Sequence, residues 1–580
     1  MRTTRRRQLL GAVAALLAIV AAVGAAGSAA KDKPHAARPM SPANHLAQIK
    51  HVVVIYEENH SFDNLYGGWE GVDGLAGADQ AHTTQVDQNG TPFACLLQND
   101  VNLTTPPLSA SCNSTSAFTN APFTIDTIIP ASATTCPRPV GAFAAHGFAN
   151  GTGLPGGCTE DIVHRYYQEQ YQLDGGKQDR YVTGSDAVGL TMGHYDTKSL
   201  PVYQYLHGKN APHYAIADRF FQGAFGGSFL NHQVLVAAQA PVWAGADNSG
   251  GPNDFHSVVD ANGMPNNYPL YASPLGKSVV DAMETASCNP PAGRPPTPAS
   301  VTCGDYAVNT TQPFYQPYSP GTADARRLPP LTSANIGDEL SAKGVDWAWY
   351  SGGWSNADGD VGAPGWTNGN GPSCSDRQAN PKSTYPNCPD VLFQYHHQPF
   401  NYFASYAPGT PARKAHLQDE VAFFDLANGS MKTTCNLKQV SFVKPLGEEN
   451  EHPGYTSESA GSNHLVDLLR AIEGSACAKD TLVIVTYDEF GGQWDHVPPP
   501  GQGSATPGPH DKWGPGSRIP ALIVAPNLPG RFVVDQTEHD TTSILSTLEH
   551  RFGLAPLTDR DRAVPDLSSV WSAKVKVVAK

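Results

Sequence analysis

Asp480–Pro500 reads DTLVIVTYDEFGGQWDHVPPP, and its first half decides the fold. From Thr481 to Tyr487 an almost unbroken apolar, β-branched run gives way abruptly to Asp488 and Glu489. A strand without polar alternation belongs in a parallel sheet covered on both faces. The same design recurs near the other end of the chain. Ile49–Gly68 reads IKHVVVIYEENHSFDNLYGG, with a run from His51 to Tyr56 and then Glu57, Glu58 and Asn59. Polar groups just past such strands fit the rule that α/β sheets bind ligands at their carboxyl edge.

Working outward, VDWAWYS from Val345, KQVSFVKP from Lys438 and RIPALIVAPN from Arg518 read as further strands. Helices are predicted in SVVDAMETA from Ser278, SANIGDELSAKG from Ser333, NHLVDLLRAIEGS from Asn463 and TTSILSTLEHRFG from Thr541. Each begins near a polar cap, and three end close to glycine. Strands and helices therefore alternate, most clearly after residue 330. The fold class is α/β, a mostly parallel central sheet flanked by helices. Regions near 80–160, 285–330 and 354–390 are rich in small, polar and loop-forming residues and read as insertions into a domain spanning 48–580.

Composition agrees with this reading. The 580 residues exceed one ordinary core, 40% of them are hydrophobic, and 56 Gly with 49 Pro point to long irregular excursions. Residues 1–30 join a basic start, an apolar run and small residues before Lys31, as in a signal peptide. Residues 31–47 read as a flexible segment. Thr4-Arg5-Arg6 faintly resembles a twin-arginine signal, so secretion or periplasmic export by either route is expected, with an uncleaved anchor as the alternative. No later run is long enough to span a bilayer. Loss of the leader takes the formal charge from −15 to about −19, which argues against a nucleic-acid surface. The ten cysteines form no Cys-x-x-Cys pair. In an exported chain they read as disulfides, with Cys288/Cys303 and Cys374/Cys388 placed to staple loops.

Glu58, Asn59, Asp488 and Glu489 offer carboxylate and amide oxygens suited to hard divalent cations. Either cluster alone reads equally well as solvated acids at a strand end. Histidines accompany them: His164 in a tyrosine-rich stretch, His396 and His397 in FQYHHQPFNYF, and His452 in EENEHPGY. Gly223–Gln233, GAFGGSFLNHQ, presents Ser228 after two glycines. Taken alone it is a turn, since Gly and Ser are ordinary turn formers.

Together VVVIYEENHSFDNLYG, ADRFFQGAFGGSFLNHQ, FQYHHQPFNYF, NEHPGY and VTYDEFGGQWDHVPPP resemble, in order, the motifs of the bacterial phosphoesterase family. That family unites secreted acid phosphatases with phospholipases C on an alkaline-phosphatase-like core. The resemblance implies that Ser228 attacks phosphorus and that Asn231 holds a phosphoryl oxygen. It implies that Glu58, Asn59, Ser228, Asp488 and Glu489 bind one divalent metal; Ca, Mn, Fe and Zn all remain open. His164, His396 and His397 resemble phosphate contacts, and His452 the acid that protonates the leaving oxygen. On this reading the glycines before Ser228 let the phosphate approach. Asp495 and His496 recur in the last motif and read as support behind the ligands.

The phospholipase branch commonly carries threonine and arginine where this chain has Ser228 and His232, and extra C-terminal domains follow its core. Both departures favour the acid phosphatase branch, a phosphate-ester hydrolase working through phosphoserine. A phospholipase C or other phosphodiesterase is the alternative, and a non-catalytic secreted binding protein a further one. At the first motif His60 stands where arginine is frequent. Oligomeric state is open.

Overall fold

A computed structural model of the chain describes residues 40–97, 112, 117–127, 161–251, 253–369, 389–390, 392–430, 433–502 and 507–576. The leader, and Cys136, Cys158, Cys374 and Cys388, lie outside the described residues.

Nine strands build one sheet: β1 (His51–Glu57), β2 (Tyr214–Ala217), β3 (Trp347–Ser351), β4 (Leu417–Asp419), β5 (Val440–Lys444), β6 (Thr481–Tyr487), β7 (Ala521–Val524), β8 (Phe532–Asp535) and β9 (Lys574–Val575). Their order is β4-β3-β5-β1-β6-β7-β2-β8-β9. The five strands from β4 to β6 run parallel, and β7 is an antiparallel insert before β2 and β8, which are again parallel to each other. In β1 every residue after His51 is buried, and β6 is buried throughout. Both central strands are thus covered on both faces, as their unalternating sequences require.

The helices form two packed groups. α2 (Ser228–Ala237) contacts α3 (Ile336–Ala342) and α6 (Thr542–Phe552), while α5 (Glu458–Glu473) contacts α4 (Glu420–Asn428) and the helix Pro201–His207. α5 starts earlier than the sequence predicts, because Ser457 caps it by accepting from the Ala460 N–H. α6 ends on Gly553 at φ 66°, a left-handed C-cap. Among the described residues no helix is long and apolar enough to cross a membrane.

Three sequence expectations change. Residues 31–47 were expected to be flexible, yet Pro42–Gln48 forms a short helix, α1, capped by Ser41 and anchored by His45 stacking on Trp571 at 5.6 Å. SVVDAMETA is not helical: Val280 bridges Val258, Glu284 bridges both His256 and Ala307, and Ala286 bridges Cys303. Cross-strand partners and the Cys288–Cys303 disulfide override a helical pattern that has only its own turn to offer. GAFGGSFLNHQ is only half a turn, because Ser228 is the first residue of the fully buried helix α2. Two further disulfides, Cys95–Cys112 and Cys435–Cys477, accompany the first.

Candidate active site

Four chain segments deliver polar groups to one edge of the sheet. Glu58 and Asn59 follow β1, Asp488 and Glu489 follow β6, and Lys444 ends β5, which is the other neighbour of β1. All three strands are parallel, so these residues emerge side by side. The register holds the turn closed: Asp488 N donates to Glu57 O at 3.1 Å, and Asp488 Oδ1 accepts from the Asn59 and Glu489 N–H groups at 3.2 and 2.8 Å. Asn59 sits at φ 57°, a left-handed conformation that asparagine tolerates. A Cβ on Gly491 would strike Asn59 O at 2.2 Å, so only glycine fits opposite it.

Ser228 closes the cluster. Its hydroxyl Oγ lies 3.3 Å from Glu58 Oε2, 3.4 Å from Asn59 Oδ1 and 3.4 Å from Glu489 Oε1. The residue is 6% exposed. As the first residue of α2 it stands beside backbone N–H groups that lack partners within the helix, a natural seat for an anion.

The preceding glycines serve packing rather than phosphate access. A Cβ on Gly226 would meet Tyr166 N at 2.7 Å, and one on Gly227 would meet His164 O at 2.8 Å, so the chain at 164–166 fills that space. Glu169 pins the same loop by accepting from the Gly226 and Ser517 N–H groups. Asn231, expected to hold a phosphoryl oxygen, spends its amide here on the loop. It accepts from Ala224 N at 2.9 Å and donates to the Gly226 and Gly227 carbonyls at 3.1 and 3.2 Å.

Three carboxylates in so small a buried space create an electrostatic problem. Burial pushes the Glu58 carboxyl up, but the charges of His397 and Lys444 outweigh it and hold the group well below the usual range. The contacts are close: Lys444 Nζ and His397 Nε2 stand 2.5 and 2.8 Å from Glu58 Oε1. Asp488 and Glu489 go the other way. Burial first, then the charge of Glu58 on Asp488 and of Asp488 on Glu489, holds both well above the ordinary carboxylate range. Asp488 Oδ2 is buried with no hydrogen-bond donor. The oxygens of Glu58, Asn59, Asp488, Glu489 and Ser228 therefore match what a hard divalent cation takes, and such a cation would relieve the repulsion.

The histidines divide into two groups. His164, on the cavity wall, and the buried His452 pair with ring centroids 6.4 Å apart. His452 sets Nδ1 on Pro453 O at 2.7 Å, which leaves Nε2 beside Asn59 Nδ2 at 2.9 Å. His164 sets Nδ1 on Ile162 O at 2.6 Å and turns Nε2 toward Glu489 Oε1 at 3.5 Å. His396 and His397 gather beside the buried His232, and His397 is stacked on it at 5.1 Å. Burial is the main cause that pushes His232 and His396 well below the ordinary imidazole value. His397, read as a phosphate contact, faces Glu58 here.

Sequence reasoning missed Lys444 and His232. Lys444 also donates to Tyr56 O at 2.9 Å, and His232 sets Nδ1 against Ser228 O at 2.8 Å. A lysine ending the short, fully buried strand VSFVK was the available signal. Asp495 and His496 lie behind the ligands, in a buried network where Arg518 binds Asp495 at 3.0 Å and Asp63 at 3.1 Å. His60 is held by Asn64 Oδ1 at 2.6 Å and Glu451 O at 2.8 Å.

Beside Gly227 and His164 opens a cavity of about 490 Å³, walled by Asp161, Asp186, Asp281, Asn266, Tyr268 and Asn309 among others.

The phosphoesterase family model matches residues 49–555 of the chain. Phospholipase C B of Mycobacterium tuberculosis is 34% identical over 157 residues, covering 23% of this chain and 30% of that protein. A non-hemolytic phospholipase C of Burkholderia pseudomallei is 29% identical over 180 residues, 26% of this chain and 25% of its own length. Non-specific phospholipase C6 of Arabidopsis thaliana is 29% identical over 157 residues, 24% of this chain and 30% of its own. The matched segments thus span less than a third of each of these relatives. The family match, by contrast, takes in both acidic strand ends and the serine helix between them, and this chain belongs to the phosphoesterase family.

Proposed function

We propose that this chain is a secreted, metal-dependent phosphatase that hydrolyses phosphate monoesters through a phosphoserine at Ser228. The observation that carries the reading is the buried hydroxyl of Ser228, within 3.4 Å of one oxygen each from Glu58, Asn59 and Glu489. Glu58, Asn59, Asp488 and Glu489 would hold one divalent cation, which supplies Lewis-acid polarisation and a lowered serine pKa. Ser228, having lost its hydroxyl proton to solvent under the lowered pKa, attacks phosphorus in line through Oγ while the bond from phosphorus to the leaving oxygen breaks. The first-turn N–H groups of α2 receive the phosphate's anionic oxygens. With Nδ1 on Pro453 O, His452 exchanges its proton at Nε2, and it would turn from the Asn59 amide that now donates to Nε2 in order to protonate the leaving oxygen. His164, at the wall of the cavity, would bind the phosphate from the solvent side. Water then attacks the phosphoserine, one of its protons returning to His452 Nε2, and the P–Oγ bond breaks to free Ser228 and release inorganic phosphate. Lys444, His397 and His232 act from behind, fixing Glu58 and the first turn of α2.

The polar walls of the cavity favour a small hydrophilic leaving group over a diacylglycerol. The second reading, a phospholipase C, draws on the names of the relatives. Three disulfides favour export. The test is a substrate panel of p-nitrophenyl phosphate, a nucleotide and phosphatidylcholine, run with wild type and Ser228→Ala, together with trapping of the phosphoenzyme. Monoester turnover, label on Ser228 and an inactive variant are expected. Wild-type rates in Ser228→Ala would end the nucleophile assignment, and turnover of phosphatidylcholine alone would move the chain to the diesterase branch.

A further inference from the structure

Away from the active site, His256, Glu284 and Asp305 bring three ligand atoms together from three segments of the insertion that follows α2. We propose that these residues form a second cation site, which braces the insertion and is independent of the catalytic reading. His256 is oriented from behind: its Nδ1 lies 2.9 Å from Asp254 Oδ1, an oxygen that also accepts from His256 N at 3.1 Å. With Nδ1 held by a carboxylate, a cation would take the place of the Nε2 proton that faces Glu284 and Asp305, the arrangement by which a carboxylate behind an imidazole readies it for a metal. Nε2 then stands 3.0 Å from Glu284 Oε2 and 3.1 Å from Asp305 Oδ1. Two donors about 3 Å apart subtend roughly 90° at a metal about 2.1 Å from each, an ordinary coordination angle.

A second observation separates this cluster from a chance gathering of acids. Glu284 is fully buried, its Oε1 receives no hydrogen bond, and its Oε2 meets only His256. Among the described residues no lysine or arginine pairs with Asp254, Glu284 or Asp305; each ion pair they make goes to His256. Even a charged His256 leaves three carboxylates against one cation. The buried cluster of Asp63, Asp495 and His496 has a similar composition, but there Arg518 supplies the missing charge. A divalent ion would do so here. Asp305, 47% exposed at its side chain, leaves a path for the ion and room for water to complete its shell. Mixed imidazole and carboxylate donors suit Mn²⁺ or Zn²⁺.

The placement gives the site a purpose. His256 and Glu284 are paired by a β-bridge, Asp305 O accepts from Trp243 N at 2.9 Å, and Cys288–Cys303 closes the same region. Asp281, Val308 and Asn309, close to Glu284 and Asp305 in sequence, line the cavity beside Ser228. An ion here would hold that wall in place.

The test uses the full chain, stripped with chelator and titrated separately with Mn²⁺ and Zn²⁺. Glu284→Gln and Asp305→Asn should each bind one equivalent fewer than wild type while keeping the equivalent lost in Asp488→Asn. Mn²⁺ bound to Asp488→Asn should show an imidazole nitrogen coupling by pulsed EPR, absent once His256→Gln is added. Asp305→Asn alters a half-exposed group and guards against a variant that merely fails to fold. Unchanged stoichiometry with both metals in Glu284→Gln and Asp305→Asn would overturn the proposal, leaving His256 as the counter-ion of three acids.

Discussion

Lys444 is the residue whose removal tests the electrostatics of the site most directly. Its Nζ stands 2.5 Å from Glu58 Oε1, and both side chains are fully buried. At an effective dielectric of about 20, charges at that separation attract by roughly 6–7 kcal/mol. Desolvation of both ions offsets much of this, so the net worth of the intact pair is small. Taking away one partner is different, because the other charge stays buried: Lys444→Met should cost about 3–5 kcal/mol. The loss includes the donor to Tyr56 O at 2.9 Å. Glu58→Gln in the same chain should recover most of it, since a neutral pair leaves no stranded charge. Urea denaturation of chelated protein at pH 7, for wild type, both single variants and the double, supplies the cycle. Chelation matters, because a bound cation would take over the role of the lysine. A loss under about 1 kcal/mol, the size of a surface pair, or a double variant as unstable as the sum of the singles, would refute the reasoning.

His452→Ala should slow hydrolysis of an alkyl phosphate about 10²–10⁴-fold more than that of p-nitrophenyl phosphate, measured as kcat/KM. Equal losses on the two substrates would remove His452 from proton transfer. His464 offers a pH signature: burial opposes its charge, but Glu420 and Glu449 raise it from 6.5 to about 10. Because the folded value lies above the unfolded one, its stabilisation is complete below pH 6.5 and fades as pH rises toward 10. The stability difference between wild type and His464→Gln should therefore be largest near pH 6 and vanish near pH 10, and a pH-independent difference would contradict it. Opening Cys435–Cys477, which closes a separation of 42 residues, should cost up to about 4 kcal/mol in thermal or urea unfolding.

The central strands were legible because nothing interrupts them: a run such as HVVVIYE has no polar face and fits only a doubly covered sheet. The acids beyond β1 and β6 were legible for the same reason, as a sudden change of character. The short strands escaped notice. Leu417–Asp419 and Tyr214–Ala217 carry too few residues for a period to emerge, and their neighbours in space define them. Helix α2 was hidden by the glycines before Ser228, which look like a turn because they are one; the helix starts one residue later. SVVDAMETA misled in the opposite direction, since β-bridges to Val258 and Ala307 determine its shape and neither is adjacent in sequence. The roles of Lys444 and His232 depend on which strands and helices become neighbours, which a single sequence does not state.

The pairing of β1 with β6 sets Val53 against Val483 and Glu57 against Tyr487. The two halves of the oxygen cluster thus come from distant points of the synthesis schedule, and they meet only when the central seam of the sheet closes. A chain halted between Lys444 and Thr481 carries the serine, its helix and the first acids, yet lacks Asp488, Glu489 and one neighbour of its central strand. Contacts of such long sequence separation also form slowly. The oxygen cluster is therefore complete only in molecules whose first strand has found β6 across the central seam, so assembly of the site reports on closure of the sheet.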